Sequence, residues 1–313
     1  MRPLRFARFV RLVRLALLAL AALILFNLVS LSSPPVPSSE PLLNITDFRF
    51  ILSPPSCKAL QLNPTVLILV HSAPTNVDKR RTIRETWGAW RRNIRVLFLL
   101  GEAMDYDKSL QHEAEIYGDI VQGSFRDTYH NLTYKHTMAL RWTREHCPEA
   151  HFLFKVDDDI YVNTPALISF LMNAQQTALI CLQFVGNPVL RDVSSVWYVS
   201  HEDYPNDTYP VHCSGYGIIY PRETIERMEK AVHSLPFFWI DDVFVSGIAR
   251  EKAQIAVQEI DQRVLPKPQA QEVVEGKRDI STIDSILYSY GVEELVIRRL
   301  WHMTQLRQST FVV

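Results

Sequence analysis

The stretch Lys155-Val-Asp-Asp-Asp-Ile-Tyr-Val162 places three consecutive carboxylates directly after an apolar run, His151-Phe-Leu-Phe-Lys-Val156. A short apolar run that ends in acids is typical of a buried strand with oxygen ligands at its carboxyl end. Oxygen-only ligation suits Mg²⁺ or Mn²⁺, and a divalent ion at that edge of a sheet is well placed to neutralise a diphosphate. The alternative is a solvated acidic turn, because acidic triplets are common without a metal.

Apolar runs alternate with helical patterns on the N-terminal side of this stretch. Strands are predicted at residues 66–70, 94–100 and 119–125, and helices at residues 77–87, 106–117 and 131–146. This alternation predicts an α/β fold. The sequence has no Gly-rich dinucleotide or Walker fingerprint, so a nucleotide would be held by a metal and basic side chains.

The N-terminus is basic and then apolar. Residues 1–14 contain five arginines and no acid, and residues 15–31 contain no charged side chain. Seventeen uncharged residues exceed the usual signal-peptide core, so we predict a retained transmembrane signal anchor, with cleavage near residues 30–33 as the alternative. Because arginines stay cytosolic, residues 1–14 would be a cytosolic tail and the bulk of the chain would be luminal.

Composition divides the rest of the chain. Residues 32–64 are rich in Ser and Pro, which predicts an extended stem, and residues 65–313 are long enough for one large luminal domain. Removing the five N-terminal arginines from the net charge of −1 leaves −6 for the remainder. A nucleic-acid-binding surface is therefore not indicated.

All four cysteines follow the predicted anchor, on the oxidising side of the membrane where disulfides persist. Their spacings fit no zinc pattern, and sequence alone leaves three pairings open. We expect Cys57–Cys147, which would tie the end of the stem to the strand with the acidic triplet. The other bridge would be Cys181–Cys213, bracing loops rich in aromatic residues.

Three sequons agree with a secretory route. Asn44 lies in the predicted stem and Asn206 in a Pro-rich loop, so glycosylation is expected at both. Asn131 opens a helix that should pack on the sheet, and little modification is expected there.

The second half of the chain has loops and a second acidic pair. Residues 185–220 are rich in aromatics, Pro and Gly, as in loops that wall a pocket, although Trp197 and Tyr198 could equally be core aromatics. Asp241 and Asp242 follow the apolar run Pro236-Phe-Phe-Trp-Ile240. Residues 265–278 are polar and predict a mobile loop, and a helix is predicted from residue 281 onward.

Two separate carboxylate clusters suit the transfer of a sugar from a nucleotide diphosphate. One cluster would hold the ion that offsets charge on the leaving diphosphate, and the other would deprotonate the attacking hydroxyl as general base. Arg80, Arg81 and Arg84 follow the first strand, where guanidinium groups could grip phosphate oxygens. The alternative is a solvated helix face, which we favour for Arg80.

Ordered segments of the chain resemble the β-1,3-galactosyltransferase family of Golgi glycosyltransferases. They include Arg80-Arg-Thr-Ile-Arg-Glu-Thr-Trp-Gly88, Phe125-Arg-Asp-Thr-Tyr-His-Asn-Leu-Thr-Tyr-Lys135, Lys155 to Asn163, Arg191-Asp-Val-Ser-Ser-Val-Trp-Tyr198, Cys213-Ser-Gly-Tyr-Gly217 and Asp241-Asp-Val-Phe244. The resemblance covers residues 65 to 250. It implies a GT-A-like nucleotide-sugar-binding fold with a mostly parallel central sheet.

The resemblance also implies residue roles. Mn²⁺ would be held by Asp157 and Asp159, and Asp242 would be the base of an inverting transfer. The family's usual Glu-Asp pair is Asp-Asp here, and His302 is only a weak candidate for a further metal ligand. The remaining candidates are, for donor binding, Arg81, Arg84, Lys155, Asp157 and Asp158, and, for the acceptor or pocket, Trp197, Tyr198, Gly215, Tyr216, Gly217 and Asp241.

The expected protein is a single-pass type II Golgi membrane enzyme. Its partners would be a UDP-sugar donor and a glycan acceptor on a glycoprotein, a glycolipid or a proteoglycan linker. Galactose from UDP-galactose, transferred in β1,3 linkage, is the first expectation, and N-acetylglucosamine from UDP-GlcNAc is the alternative. A rival is a catalytically inactive relative that binds glycans. A secreted hydrolase with two carboxylates would need neither the metal triplet nor a membrane stem.

Overall fold

The computed structural model describes residues 47–90 and 93–310 of the chain. The predicted cytosolic tail, the anchor at residues 15–31 and the sequon at Asn44 lie outside the described residues. Within the described ranges, no helix is both long enough and apolar enough to cross a membrane.

Eleven strands form two sheets in the described part of the chain. The large sheet has the strand order β1-β4-β3-β2-β5-β8-β7-β9, and the small one has the order β10-β11-β6. The strands are β1 Phe50–Leu52, β2 Val66–His71, β3 Ile94–Glu102, β4 Ile120–Arg126, β5 Phe152–Asp157, β6 Tyr161–Val162, β7 Ala178–Phe184, β8 His212–Pro221, β9 Ala256–Glu259, β10 Val264–Pro266 and β11 Tyr288–Tyr290.

The large sheet is mixed. Strands β4, β3, β2 and β5 are parallel neighbours, as is the pair β7 and β9. Strand β1 is antiparallel to β4, and β8 is antiparallel to both β5 and β7. The α/β prediction is confirmed, but the sheet is mostly parallel only in its N-terminal half.

Helices cover both faces of the large sheet. Alternate residues of β2 enter two separate apolar cores, Val66, Ile68 and Val70 on one face and Leu67 and Leu69 on the other. This burial on both faces explains the unbroken apolar run of the strand. The helices are α1 Val77–Glu85, α2 Asp107–Tyr117, α3 Leu132–His146, α4 Thr164–Leu171, α5 Arg222–His233, α6 Arg250–Lys252, α7 Lys267–Val274, α8 Thr282–Ser285 and α9 Glu294–Thr310, with a π-helix at Val243–Ala249.

The folded domain begins before residue 65. Strand β1 pairs with β4, and Phe48 packs edge-on against Phe125 with ring centroids 5.8 Å apart. Cys57 is bonded to Cys147. Residues 50–64, expected to be stem, are therefore part of the domain, because an apolar strand and a disulfide attach them to it.

The C-terminal region is more ordered than its composition predicts. The polar stretch expected to be a mobile loop contains helix α7, whose Ala270 and Val273 are buried. The single helix expected from residue 281 is divided into α8, β11 and α9, and Gly291 separates the last two with a φ of 65°. A left-handed residue of this kind cannot continue a right-handed helix, and glycine adopts it without strain.

The strand arrangement brings β8 beside the acidic end of β5. Val156 on β5 lies opposite Gly217 on β8. A Cβ at Gly217 would lie 3.0 Å from the Tyr288 ring and 3.1 Å from the Phe154 ring, so glycine is needed for this close packing. The Gly-rich segment of β8 therefore borders the predicted metal site.

Candidate active site

A cleft of about 470 Å³ opens at the carboxyl end of β5. It is walled by β8, by the loop between β7 and β8, and by the segment before the π-helix. Of the residues predicted for the site, those that line this cleft are Lys155, Asp157, Trp197, Gly215, Tyr216, Asp241 and Asp242.

Lys155 is a buried cation between the two carboxylate clusters. Its Nζ donates to Asp157 Oδ1 at 2.9 Å and to the Gly215 carbonyl at 2.5 Å, and it lies 3.8 Å from Asp241 Oδ2. Burial alone would lower the pKa of Lys155, but the carboxylates of Asp157 and Asp241 outweigh it and raise the pKa. Lys155 therefore stays charged and holds the two clusters beside each other.

The middle carboxylate of the triplet is bound by protein donors. Asp158 is buried and accepts hydrogen bonds from Ser72 Oγ and Asn76 Nδ2, both at 2.8 Å, and from Lys79 Nζ at 2.9 Å. These contacts tie β5 to the segment that follows β2. The structure thus uses Asp158 within the protein and does not bring it to the cleft, where it was predicted to bind the donor.

Asp157 and Asp159 have the chemistry of a divalent-cation site. Burial, with Asp241 and Asp159 nearby, raises the pKa of Asp157 to about 6 despite the opposing effect of Lys155. Burial and the adjacent Asp158 also raise the pKa of Asp159. Both are hard oxygen donors of the kind that Mg²⁺ or Mn²⁺ takes, and Asp157 lines the cleft whereas Asp159 lies outside its lining.

Three-ligand clusters are scarce in the described ranges. The one such group that residues 47–90 and 93–310 bring together is Cys57, Cys147 and Glu149, and its cysteines form a disulfide. His302, the weak candidate for a further ligand, is exposed on α9. Asp157 and Asp159 therefore remain the candidate protein ligands.

Asp242 is the N-cap of the π-helix and lines the cleft. Its Oδ1 accepts the Val243 N–H at 2.8 Å, so it also caps the element that follows. A Cβ at Gly215 would lie 3.4 Å from Asp242 Oδ2, and the glycine leaves that oxygen open to the cleft. Burial and the neighbouring Asp241 carboxylate raise the pKa of Asp242 to about 7.

Asp241 is held by a buried chain of side chains that the sequence did not reveal. His136 Nδ1 lies 2.8 Å from Asp241 Oδ2, and His136 Nε2 lies 2.8 Å from the Tyr220 hydroxyl. Burial would raise the pKa of Asp241, but Lys155 and His136 lower it. Helical spacing placed His136 on α3, yet its partners are 105 and 84 residues away in the chain, so no local signal could identify them.

An aromatic wall stands beside Asp242. Trp197 is 50% exposed, and its indole N–H donates to the Tyr129 hydroxyl at 2.6 Å. Trp239 lies against Tyr129, with ring centroids 6.2 Å apart. Tyr129 and Trp239 line the cleft but were not predicted, whereas the predicted Tyr198 and Gly217 are absent from its lining.

The three arginines of α1 do not line the cleft. Arg84 donates to Asp119 from Nε at 2.8 Å and lies 2.7 Å from Glu113, with its guanidinium over the Tyr117 ring. Arg81 is exposed and pairs with Asp78. The structure therefore does not place Arg81 or Arg84 where donor binding was predicted.

Arg80 was expected on a solvated face, and this expectation is wrong. Its side chain is fully buried. Nε and Nη2 donate to the two Glu113 oxygens at 2.8 and 2.6 Å, and Nη1 donates to the Ala73 carbonyl at 2.7 Å. Its neighbours in the chain gave no sign of this, because the acid that pairs with it lies on α2.

The predicted disulfides are the ones found. Cys57 is bonded to Cys147 and Cys181 to Cys213. The second bridge joins β7 to β8, the two strands that enclose the loop on the aromatic side of the cleft. Its effect is to fix the two ends of that wall.

The sequence that forms this cleft is similar to a family of known proteins. The family model described as galactosyltransferase matches residues 78–261. The acetylgalactosaminyl-O-glycosyl-glycoprotein beta-1,3-N-acetylglucosaminyltransferase of Mus musculus is 35% identical over 65% of this chain and 55% of its own length. The UDP-GalNAc:beta-1,3-N-acetylgalactosaminyltransferase 1 of Homo sapiens is 37% identical over 64% of this chain and 63% of its own length.

A third relative, the beta-1,3-galactosyltransferase 5 of Pan troglodytes, is 32% identical over 66% of this chain and 72% of its own length. Among solved structures, a glycosyltransferase involved in the glycosylation of the major capsid of PBCV-1 is similar with a TM-score of 0.39 and 14% identity, over 77% of this chain and 99% of that one. The family match spans more than half of the chain and contains the acidic triplet, the Gly-rich segment of β8 and the Asp241–Asp242 pair. The chain belongs to the galactosyltransferase family.

Proposed function

We propose that the protein transfers a hexose from a UDP-sugar, in β1,3 linkage and with inversion, to a hydroxyl group of a glycan acceptor. One observation carries the proposal. Asp242, with a pKa raised to about 7, shares a cleft of about 470 Å³ with Asp157. A base with a pKa near neutrality is suited to accepting a proton from a hydroxyl group during transfer.

The side chains divide the work of this reaction. Asp242 Oδ2 accepts the proton of the acceptor hydroxyl group while the oxygen of that hydroxyl attacks the anomeric carbon of the donor sugar. Asp157 and Asp159 are the residues that would hold Mn²⁺, which would supply positive charge against the diphosphate. Lys155 keeps Asp157 and Asp241 in place through its contacts at 2.9 and 3.8 Å. Attack from the side opposite the leaving diphosphate accounts for inversion.

UDP-galactose is the proposed donor, and the family's breadth leaves UDP-GlcNAc as the alternative. The relatives are named for the transfer of N-acetylglucosamine, N-acetylgalactosamine and galactose. Contacts with the 2-substituent distinguish galactose from the two N-acetylhexosamines, and contacts with the 4-hydroxyl distinguish the galactose from the glucose configuration. Intact carboxylates in both clusters favour an active enzyme over an inactive glycan-binding relative.

The proposed location is the Golgi membrane, in a single-pass type II orientation with the catalytic domain in the lumen. The five arginines of residues 1–14 and the uncharged residues 15–31 support this orientation. The two disulfides of the domain support an oxidising compartment.

The test is release of UDP by the purified protein from UDP-galactose, UDP-GlcNAc and UDP-GalNAc, each with a panel of aryl glycoside acceptors and Mn²⁺. Acceptor-dependent release from UDP-galactose, abolished by EDTA and restored by Mn²⁺, is expected. Release from another UDP-sugar alone would keep the transferase and correct the donor. No release from any donor, while UDP still binds, would favour the inactive relative.

A further inference from the structure

The loop between β7 and β8 is closed at its base by a short ladder. Pro188 and Thr208 form an isolated antiparallel bridge. The Val189 N–H donates to the Asp207 carbonyl at 2.8 Å, and the Tyr209 N–H donates to the Asn187 carbonyl at 2.9 Å. Residues 187–209 therefore leave the sheet and return to it at one place, which we call the cleft loop.

The interior of the cleft loop is organised by one guanidinium group. Arg191 Nη1 donates to the carbonyls of Val199 and Ser200 at 2.9 and 2.8 Å. Its Nη2 donates to the carbonyls of Tyr204 and Asn206 at 2.8 and 2.7 Å. Among the described residues, no carboxylate forms an ion pair with Arg191, so these four carbonyls are its partners.

These contacts replace secondary structure that the cleft loop lacks. Three of these bonds are partly buried and the one to Asn206 is exposed, and a charged donor binds a carbonyl more strongly than a neutral one. The planar fork of arginine reaches four carbonyls at once, whereas the ammonium of lysine is a single point with three donors. The hydrogen bonds from Arg191 therefore fix the backbone conformation of the segment from Val199 to Asn206.

The cleft loop carries one side of the aromatic wall. Its residues Asn187, Pro188, Leu190, Trp197 and Tyr209 line the cleft. Trp197 lies between Arg191 and Val199, and the Val199 N–H donates to the Leu190 carbonyl at 3.0 Å. The segment that bears Trp197 is therefore fixed at both ends, and Arg191 sets one of them.

We propose that Arg191 is the positioning residue of the acceptor subsite. It holds Trp197 upright beside Asp242, where the exposed indole face stacks on the apolar face of an acceptor pyranose. The ligand class is a glycan whose terminal pyranose presents an apolar face. This inference rests on the proposed function and adds a residue that touches neither the donor nor the reacting atoms.

The test compares Arg191→Met and Arg191→Lys with the wild type in the full-length protein. Arg227→Met is the matched control, because Arg227 also donates to two backbone carbonyls, those of Ala253 and Gln254, and does not line the cleft. With p-nitrophenyl β-galactoside and p-nitrophenyl N-acetyl-β-glucosaminide as acceptors, we expect the acceptor KM to rise roughly 10- to 100-fold in both Arg191 variants, since each 1.4 kcal/mol of lost preorganisation is tenfold. Donor KM and UDP affinity should stay within about twofold.

A double-mutant cycle with Trp197→Ala shows whether Arg191 acts through the indole. If it does, Arg191→Met adds little to the acceptor KM of the Trp197→Ala protein. Additive effects, an unchanged acceptor KM or an equal rise in Arg227→Met would overturn the inference.

Hydrogen exchange provides a readout that does not depend on activity. Amides of residues 192–206 should exchange faster in Arg191→Met than in the wild type, and those of β5 should not change. If the wild type transfers no sugar from any donor, the proposed function fails by itself. Exchange then tests whether Arg191 orders the cleft loop, and an unchanged pattern in Arg191→Met overturns that part of the inference.

Discussion

Asp241 and Asp242 are consecutive residues with opposite ionisation behaviour. Burial acts on both carboxyls in the same direction. Asp241 also meets Lys155 and His136, which lower its pKa, whereas burial together with the charge of Asp241 raises the pKa of Asp242 to about 7. Two adjacent carboxyls with separated pKa values can serve different purposes, one as a fixed anion and the other as a base.

The role of Asp242 as general base is tested by Asp242→Asn. We expect turnover to fall by roughly 10²–10⁴, the usual contribution of a positioned base. The asparagine oxygen can still accept the Val243 N–H, so the cap and the melting temperature should be kept. UDP affinity, measured by calorimetry with Mn²⁺, should be near normal.

Asp159→Asn is the contrasting variant, because it should weaken metal-dependent UDP binding and turnover together. A near-normal rate in Asp242→Asn would leave Asp242 with only its capping role.

The charge on Asp241 should set the pH at which the enzyme becomes active. A base must be deprotonated to work, so the rate should rise with pH through about 7, the pKa of Asp242. Asp241→Asn removes a negative neighbour and should lower the pKa of Asp242. The acid limb of kcat/KM should therefore move to lower pH, in profiles taken from about pH 5 to 9. An unmoved limb would show that another group controls it, whatever the absolute rate.

At the scale of elements, sequence reasoning succeeded where burial is uniform. Strand β2 is buried at all six positions, so its apolar run identified it, and the acids after β5 marked the site because strand ends lie at sheet edges. Strand β8 was described as loop, since its Gly and aromatic residues are typical of loops. It is a strand because β5 and β7 pair with it on both sides.

Helix α7 was missed for a similar reason. Its sequence is polar, which predicts a loop. Pro266 is the N-cap and Pro268 lies in the first turn, where proline needs no N–H partner and its fixed φ suits a helix. The long-range contacts of this region and of His136 could not be predicted, because local sequence patterns do not show which distant residues meet.

The pair of Arg80 and Glu113 joins α1 to α2, and its loss should destabilise the domain. Removing one partner of a buried pair costs about 3–5 kcal/mol. We expect Arg80→Met to lie at the lower end of that range, because Arg84 remains 2.7 Å from Glu113. Urea denaturation measures the free energy of unfolding.

Arg81→Met is the control for Arg80→Met. Arg81 is exposed and pairs with the exposed Asp78, so its replacement should stay within about 0.5 kcal/mol. Equal effects of the two substitutions would contradict the structural role given to Arg80.

The whole domain depends on residues that its composition assigned to a stem. Strand β1 closes the edge of the large sheet at β4, and Cys57 is bonded to Cys147 directly after α3. Both features lie before residue 65. Residues 50–64 therefore belong to the domain, and not to the tether that composition predicts.

A truncation series tests this boundary. A chain that begins at residue 44 and follows a cleavable signal peptide keeps β1 and the disulfide, and we expect it to be secreted and to melt near the full-length value. A chain that begins at residue 65, with Cys147→Ser to avoid a free thiol, loses the β4 partner and the packing of Phe48 on Phe125. It should be less stable by at least the roughly 2–5 kcal/mol that removal of a native disulfide costs.

A third protein separates the contribution of strand β1 to stability from that of the Cys57–Cys147 disulfide. Cys57→Ser with Cys147→Ser, in the chain that begins at residue 44, loses the bridge alone and should fall between the other two in thermal unfolding. If the chain from residue 65 is instead as stable as the chain from residue 44, residues 44–64 contact the domain without stabilising it. Such equality would return the boundary to residue 65, because burial and a covalent bridge that stabilise nothing do not define a domain edge.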